Sequence, residues 1–290
     1  MNYLSTTARK QLLSRLYSTN EIKQGWKALA IWTASIGLFV VLCVFMYPEM
    51  SKEMEGVNEM FSSMGAFTSA FGMDRLNFGT LTGFYAVEYG NILGIGGAFF
   101  ATLISINSLA KEEKERTAEF LLSHPISRSW IISQKLLAVM VQIMIMNAVV
   151  FGLSAASIIA IGEKVLWNEF FLLHLAYFLV QAELAGICFG ISAFLRRSGL
   201  GIGLGIAAVM YFLNIIANIS KDAEFLKYIT PFGYAGGADI IANSALNNQR
   251  PRCKQRGIKL AALQSSGVFD PRGIRQMLVQ AQHLTHCSRE

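Results

Sequence analysis

Few side chains of this sequence could do chemistry in an apolar environment, and four fall within two long apolar stretches: Asn147, His174, Gln181 and Glu183. Glu183 lies near the middle of its stretch, where a charge costs about 2.5–3.5 kcal/mol on membrane-insertion scales. Such polar groups can line a pathway through a membrane or join neighbouring helices. Alternatively, Glu183 is protonated and hydrogen-bonds an adjacent helix. The sequence leaves both interpretations open.

Motifs for hydrolysis, metal binding and nucleotide binding are missing from this sequence. It contains no H-E-x-x-H, no G-x-S-x-G and no G-x-x-x-x-G-K-[ST] motif, so it predicts neither a hydrolase nor a P-loop of its own. The four cysteines, Cys43, Cys188, Cys253 and Cys287, lack the spacing of metal ligands. We therefore expect no catalytic residue, no metal site and no enzymatic activity in this chain.

Glycines recur in the later apolar stretches, as the pairs Gly186/Gly190 and Gly201/Gly205. They do not follow a predicted strand, so they do not indicate a dinucleotide site. Small residues four positions apart are typical of helices whose backbones approach closely in a membrane. We expect these glycines to pack transmembrane helices together.

The most ordered charge pattern lies in residues 110–135. Two pairs of opposite charge stand four residues apart and support a helix, Lys111 with Glu115 and Glu112 with Arg116. Pro125 ends that helix, because proline lacks an amide donor and disfavours helical geometry in the preceding residue. Ser127 or Ser129 can cap a second helix that continues into the next apolar stretch. Such an element beside a membrane can receive a push from a soluble partner and transmit it.

This segment carries a resemblance to a known family. The residues Glu112 to Arg128 (EEKERTAEFLLSHPISR), followed by Lys135-Leu-Leu at the entry to a span, resemble the permease subunits of type-2 ABC exporters. The resemblance covers roughly residues 1–248. It implies that residues 110–135 form a cytoplasmic coupling element, and it implies these transmission positions: Glu115, Thr117, Glu119, Leu121, Leu122, Pro125, Ser127 and Arg128.

The resemblance also implies partners. The chain would be the membrane-spanning subunit of an ATP-driven exporter, working with a separate ATP-binding subunit that holds ATP and Mg²⁺. A second permease copy, or a related permease, would complete the pathway across the lipid bilayer. The alternatives are a non-transporting membrane scaffold or immunity protein of the same fold, and a truncated, inactive permease.

Five apolar stretches predict the elements that position these residues. The chain is 53% hydrophobic and only 15% charged, whereas soluble domains carry roughly 25% charged residues. The stretches are long enough for membrane-spanning helices and lack the alternation of barrel strands. We predict an all-α, polytopic helix bundle whose spans cover residues 28–47, 89–109, 136–162, 170–195 and 199–219, with Glu183 as the only charge within them.

The loops predict the orientation of the bundle. Twelve Lys or Arg residues flank one side of the predicted spans and five flank the other, up to residue 248. Because basic loops stay in the cytoplasm, we place the N-terminus and residues 110–135 there, in a multi-pass protein of the cell membrane. No cleavable signal peptide is predicted before the first span.

Residues 249–290 depart from this pattern. They contain eight Lys or Arg and two acidic residues, which accounts for the whole net charge of +6. The basic excess therefore does not predict binding of nucleic acid by residues 1–248, the permease domain. The resembling permeases have six spans, yet no apolar run of span length follows Ile219. One hypothesis is that residues 249–290 are non-native or replace the sixth span after a truncation.

Overall fold

The computed structural model describes residues 6–52, 64–73, 76, 80–114, 128–195, 199–237 and 240–241. The described side chains are those of residues 25–52, 64–73, 76, 80–109, 129–195, 199–220, 222–237 and 240–241. Six α-helices lie in these ranges: α1 Thr6–Lys52, α2 Gly65–Ala70, α3 Leu81–Lys114, α4 Arg128–Ala160, α5 Trp167–Ser192 and α6 Leu200–Ile219. Two 3-10 helices follow, Lys221–Tyr228 and Pro231–Tyr234. No strand occurs in the described ranges, and the all-α prediction is confirmed.

Five of the described helices are long and apolar enough to cross a membrane: Gly25–Lys52, Leu81–Leu109, Ser129–Ala160, Trp167–Ser192 and Leu200–Ile219. The predicted number of spans is confirmed for this part of the chain. Large apolar side chains such as Leu38, Phe45 and Phe212 are exposed on the bundle. In a protein surrounded by lipid, these side chains face an apolar solvent.

The second span begins earlier than predicted. The Thr80 side chain accepts a hydrogen bond from the Gly83 amide at 3.2 Å, which caps the helix start ahead of Leu81. Glu88 therefore lies inside the span, and Lys135 lies inside the third span. The expectation that Glu183 is the only charged residue within the spans was wrong, because the second and third spans begin before the apolar stretches that predicted them.

The third span ends at Ala160 because of a single glycine. Gly162 has a φ of +81°, in the left-handed region that glycine enters without a steric penalty. The Glu163 amide then bonds back to the Ile158 carbonyl at 3.3 Å. This local turn separates α4 from α5.

Helix α3 is at the centre of the bundle and packs against α1, α4, α5 and α6, while α1 also packs along α4. Its close contact with α5 depends on glycines that line one face of α3. A Cβ atom at Gly90 would collide with the Tyr177 hydroxyl, and one at Gly97 would collide with the Gln181 amide. These two glycines let the bulky polar side chains of α5 reach the centre.

The glycine pairs predicted to pack helices lie on open surfaces of the described chain. A Cβ atom at Gly186, Gly190, Gly201 or Gly205 would meet nothing within 4 Å. Of the glycines in α6, Gly203 instead packs, beside Ile106 and the Thr102 carbonyl of α3. Within the described chain, neither predicted pair packs against another helix, because spacing identifies a small-residue face but not its neighbour.

After α6 the chain turns back along the bundle. The buried Thr230 hydroxyl donates to the Met210 carbonyl at 2.8 Å, and Met210 lies about 14 Å before the end of α6 at 1.5 Å per residue. Phe232 packs edge-on against Tyr211 at 5.4 Å. We call residues 220–237 the re-entrant segment. Backbone that is not α-helical at membrane depth is tolerated where protein or a water-filled cavity surrounds it.

Candidate functional site

The predicted polar residues Asn147 and Gln181 meet between α4 and α5. The Asn147 Nδ2 atom donates to Gln181 Oε1 at 2.6 Å and to the Ile143 carbonyl at 2.9 Å. Both side chains are buried. In the part of the chain that the structure describes, Asn147 Oδ1 and Gln181 Nε2 have no partner. The pair joins two spans and does not face an open path.

The third predicted polar residue, His174, lies in a box of aromatic side chains. Its Nε2 atom is 3.1 Å from the Tyr85 hydroxyl and its Nδ1 atom is 2.5 Å from the Tyr89 hydroxyl. Phe151 and Phe170 pack on the ring, with centroid distances of 4.8 and 4.5 Å. A neutral imidazole has one donor and one acceptor nitrogen. It can therefore donate a hydrogen bond to one tyrosine hydroxyl and accept one from the other. The geometry fits a helix-joining role between α3 and α5.

Glu183 lies apart from the other three. Its side chain is exposed, and its Oε2 atom accepts a hydrogen bond from the Tyr234 hydroxyl at 3.0 Å. Tyr234 belongs to the re-entrant segment, so the partner of Glu183 is not one of the spanning helices. The four predicted residues therefore form two buried contacts and one surface group.

Most of the predicted coupling positions lie outside the described residues. These are Glu115, Thr117, Glu119, Leu121, Leu122, Pro125 and Ser127. Arg128 is the first residue of α4, and the structure does not describe its side chain. The structure does describe the two helices that flank this stretch, α3 on one side and α4 on the other.

Three helices are joined close to this stretch, in a contact that we call the α3–α4–α5 clasp. Lys135 of α4 is only 2% exposed, and its Nζ donates to the Ser108 carbonyl of α3 at 3.0 Å. The next amide of α3, that of Leu109, donates to the Ser192 hydroxyl at the end of α5 at 3.1 Å. A buried ammonium needs such partners, because desolvating an unpaired charge is costly. The clasp fixes the helix ends that the charged segment connects.

In the sequence, Lys135 stands out only as the first residue of the Lys135-Leu-Leu entry to the third span. A lone lysine one to two turns inside an apolar helix was the available signal, since lysine is rarely fully buried unless it is paired. Its acceptor is a backbone carbonyl, which no residue pattern reveals.

A small, partly open cavity of about 70 Å³ lies between α3, α6 and the re-entrant segment. Amide and hydroxyl side chains line it, among them Asn91, Tyr177, Tyr211 and Asn214. The Tyr211 hydroxyl donates to Asn91 Oδ1 at 3.1 Å. A polar cavity of this size can hold water. The sequence did not predict it, because its walls come from five separate parts of the chain.

Across the described ranges, no cluster of three or more His, Cys, Asp or Glu side chains is placed to hold a metal ion. The polar groups above are amides, hydroxyls, one imidazole held between two hydroxyls, the Lys135 ammonium and the Glu183 carboxylate. Their arrangement supports helix packing and does not suggest bond-breaking chemistry.

Comparison with known proteins identifies the family. Residues 17–249 match the family described as ABC-2 family transporter protein. No curated protein and no solved structure matches the chain. The match covers all five spans and the charged segment between α3 and α4, and this family is a membrane permease component that partners an ATP-binding ABC subunit. The chain therefore belongs to the ABC-2 transporter family, as a multi-pass permease component of an ABC transporter.

Proposed function

We propose that this chain couples ATP hydrolysis in a separate subunit to export of a substrate across the cell membrane. The observation that carries the proposal is the family match, because it includes the charged segment between α3 and α4. The ATP-binding subunit holds ATP and Mg²⁺, and this chain binds no cofactor. A second permease, identical or related, completes the pathway, and the N-terminus is cytoplasmic.

The α3–α4–α5 clasp supports a route for the force. Residues 115–127 connect the end of α3 to the start of α4. Lys135 joins α4 to the Ser108 carbonyl of α3, and Ser192 joins α5 to the Leu109 amide. A push on the connecting residues would therefore move the three helix ends together. Such a push changes transport only if it stabilises one bundle state over another.

A paired substitution tests coupling directly. Glu119→Gln combined with Arg128→Gln removes two charges from the segment, and Glu163→Gln with Lys164→Gln removes two from the exposed loop between α4 and α5. The measurement is ATP hydrolysis and ATP-dependent movement of Na⁺, ethidium and a fluorescent phospholipid in proteoliposomes with the ATP-binding subunit. We expect movement to fall about tenfold in the first variant only, within the usual range of coupling between sites.

The outcomes separate the candidate functions. Hydrolysis that continues while movement falls in the first variant only supports a coupling element. Equal movement in both variants contradicts the coupling role. If the unaltered chain binds the ATP-binding subunit but ATP moves none of the probes, the result favours a non-transporting scaffold, an immunity protein or an inactive permease.

A further inference from the structure

The outer face of α5 carries an exposed carboxylate at membrane depth. Glu183 lies about 24 Å from the first residue of α5 and about 14 Å from the last. The hydrocarbon core is about 30 Å thick, so Glu183 falls inside it. Its side chain is exposed, although Tyr234 donates one hydrogen bond to it. A carboxylate in this position is unfavourable against lipid and requires a polar or charged neighbour.

The re-entrant segment presents more polar groups beside Glu183. Lys227 pairs with Glu224 at 3.4 Å. The backbone carbonyl of Lys227 lies so close to Gly233 that a Cβ atom at that position would collide with it. These residues and Glu183 line an open cavity of about 430 Å³, with Tyr228 92% exposed at its wall. Irregular backbone and charges at this depth are found against protein or water, not against lipid.

Two glycines extend the same face of α5. Gly186 and Gly190 follow Glu183 by one and two turns, and both are exposed. A Cβ atom at either position would meet nothing within 4 Å. This small-residue spacing lets a second helix approach the backbone closely. We call Glu183, Gly186, Gly190 and Tyr234 the α5 outer face.

We propose that the α5 outer face binds a transmembrane helix of a different membrane subunit, one that places a lysine, arginine, asparagine or glutamine opposite Glu183. Among the described charges of the cavity, the two acids Glu183 and Glu224 outnumber the single base Lys227. This acidic excess favours a hydrogen-bond donor or a cation on the partner. A symmetric dimer through this face would use the same patch twice and bring Glu183 towards its own copy. The proposal rests on the proposed function, because it names the second permease as a related chain.

Synthetic helices provide the probe. The full chain is labelled with a fluorescent acceptor at Phe194→Cys, because Phe194 is 88% exposed just beyond α5. It is reconstituted in phospholipid vesicles with donor-labelled leucine-rich helices that carry lysine, asparagine, glutamate or leucine at the centre. We expect the lysine and asparagine helices to bind at least about fivefold more tightly than the leucine and glutamate helices, because only they can donate a hydrogen bond to Glu183 within the membrane.

Two variants and a matched control locate the contact. Glu183→Gln should remove the preference for lysine, and Gly186→Leu should weaken binding of every helix. Gly152→Leu is the control, since Gly152 is an exposed glycine of α4 whose Cβ would also meet nothing. Thermal unfolding of each variant verifies that it folds. Equal binding of all four helices, or no difference between Gly186→Leu and Gly152→Leu, would overturn the proposal.

A second arm tests self-association. Donor-labelled and acceptor-labelled copies of the chain are mixed in the same vesicles without any peptide. Energy transfer between copies that Gly186→Leu abolishes would mean that a second copy occupies the face, which contradicts the proposal. Binding of the ATP-binding subunit is measured in parallel. If that binding persists while the helices fail to bind, the docking proposal fails and the proposed function stands.

Discussion

At the scale of single residues, Lys135 has the clearest physical constraint. Its ammonium group is almost completely buried, and it donates to the Ser108 carbonyl at 3.0 Å. Hydrogen bonds that involve a charged group contribute roughly 1.5–3 kcal/mol. The contact lies where α3 and α4 enter the charged segment, so its loss should affect transmission as well as stability.

We expect Lys135→Met to lower the free energy of unfolding by about 1–3 kcal/mol and to reduce ATP-dependent movement more than ATP hydrolysis. Methionine keeps much of the length of the lysine side chain but cannot donate to Ser108. Lys164→Met is the control, because Lys164 is exposed in the loop between α4 and α5. Thermal unfolding in detergent and proteoliposome assays measure the two effects. A Lys135→Met variant that behaves like Lys164→Met would contradict the role of the clasp.

The Asn147–Gln181 pair makes a second prediction at this scale. We expect Gln181→Leu alone to cost about 1–2 kcal/mol, because Asn147 is then left buried without its side-chain partner. Asn147→Leu combined with Gln181→Leu should recover part of that loss, since the two unpartnered amide atoms are removed as well. A double-mutant cycle on unfolding free energies measures the coupling. Strictly additive effects would show that the 2.6 Å contact contributes nothing.

At the scale of elements, the approach of α3 to α5 depends on glycine. We expect Gly90→Ala to lower the unfolding free energy by about 1–3 kcal/mol, because the new methyl group would overlap the Tyr177 hydroxyl. Gly152→Ala should instead raise stability by up to about 1 kcal/mol, since alanine favours helix and the site is open. Unfolding curves of the two variants test the opposite signs, and a stabilising Gly90→Ala would refute the packing argument.

The elements also show what a sequence can predict. Hydropathy located five spans in the described chain because each apolar stretch is by itself long enough to cross the hydrocarbon core of a membrane. The pairing of helices was not predictable in the same way. Gly90 and Gly94 have the same spacing as Gly186 and Gly190, yet a Cβ at Gly94 would contact Tyr177 at 3.4 Å and one at Gly186 would meet nothing. Spacing describes one surface, whereas packing depends on two.

The candidate site was predicted unevenly for the same reason. Asn147, His174, Gln181 and Glu183 were recognisable because polar groups are costly in apolar runs. Their partners include Tyr85, Tyr89 and Tyr234, which look like ordinary membrane aromatics in the sequence. The re-entrant segment was not predicted, because its residues are neither apolar enough nor numerous enough to register as a span.

At the scale of the whole molecule, the proposed orientation makes opposite ends of the bundle accessible from opposite sides. Ser129 and Lys164 are exposed and lie near the two ends of α4. We expect a thiol at Ser129→Cys to react with an impermeant reagent only after cells are opened, and a thiol at Lys164→Cys to react in intact cells. The background replaces the native thiols Cys43, Cys188, Cys253 and Cys287 with alanine.

Gel-shift labelling of intact and opened cells measures this difference. The positive-inside rule predicts the pattern because it assigns the basic loops to the cytoplasm. The reverse pattern would place residues 115–127 outside the cell. A cytoplasmic ATP-binding subunit could not contact them there, and the proposed coupling would be refuted even though the family assignment would stand.

The re-entrant segment also constrains how the protein is made. Its anchors are the Met210 carbonyl, the Tyr211 ring and the Glu183 carboxylate, which belong to helices synthesised before it. Residues 220–237 have no continuous α-helix to satisfy the hydrogen bonds of their own backbone groups. Burying these groups in lipid without protein partners would be unfavourable. They can settle between the helices only once α5 and α6 have left the insertion machinery and assembled. During biogenesis, this stretch therefore reaches its place after α5 and α6.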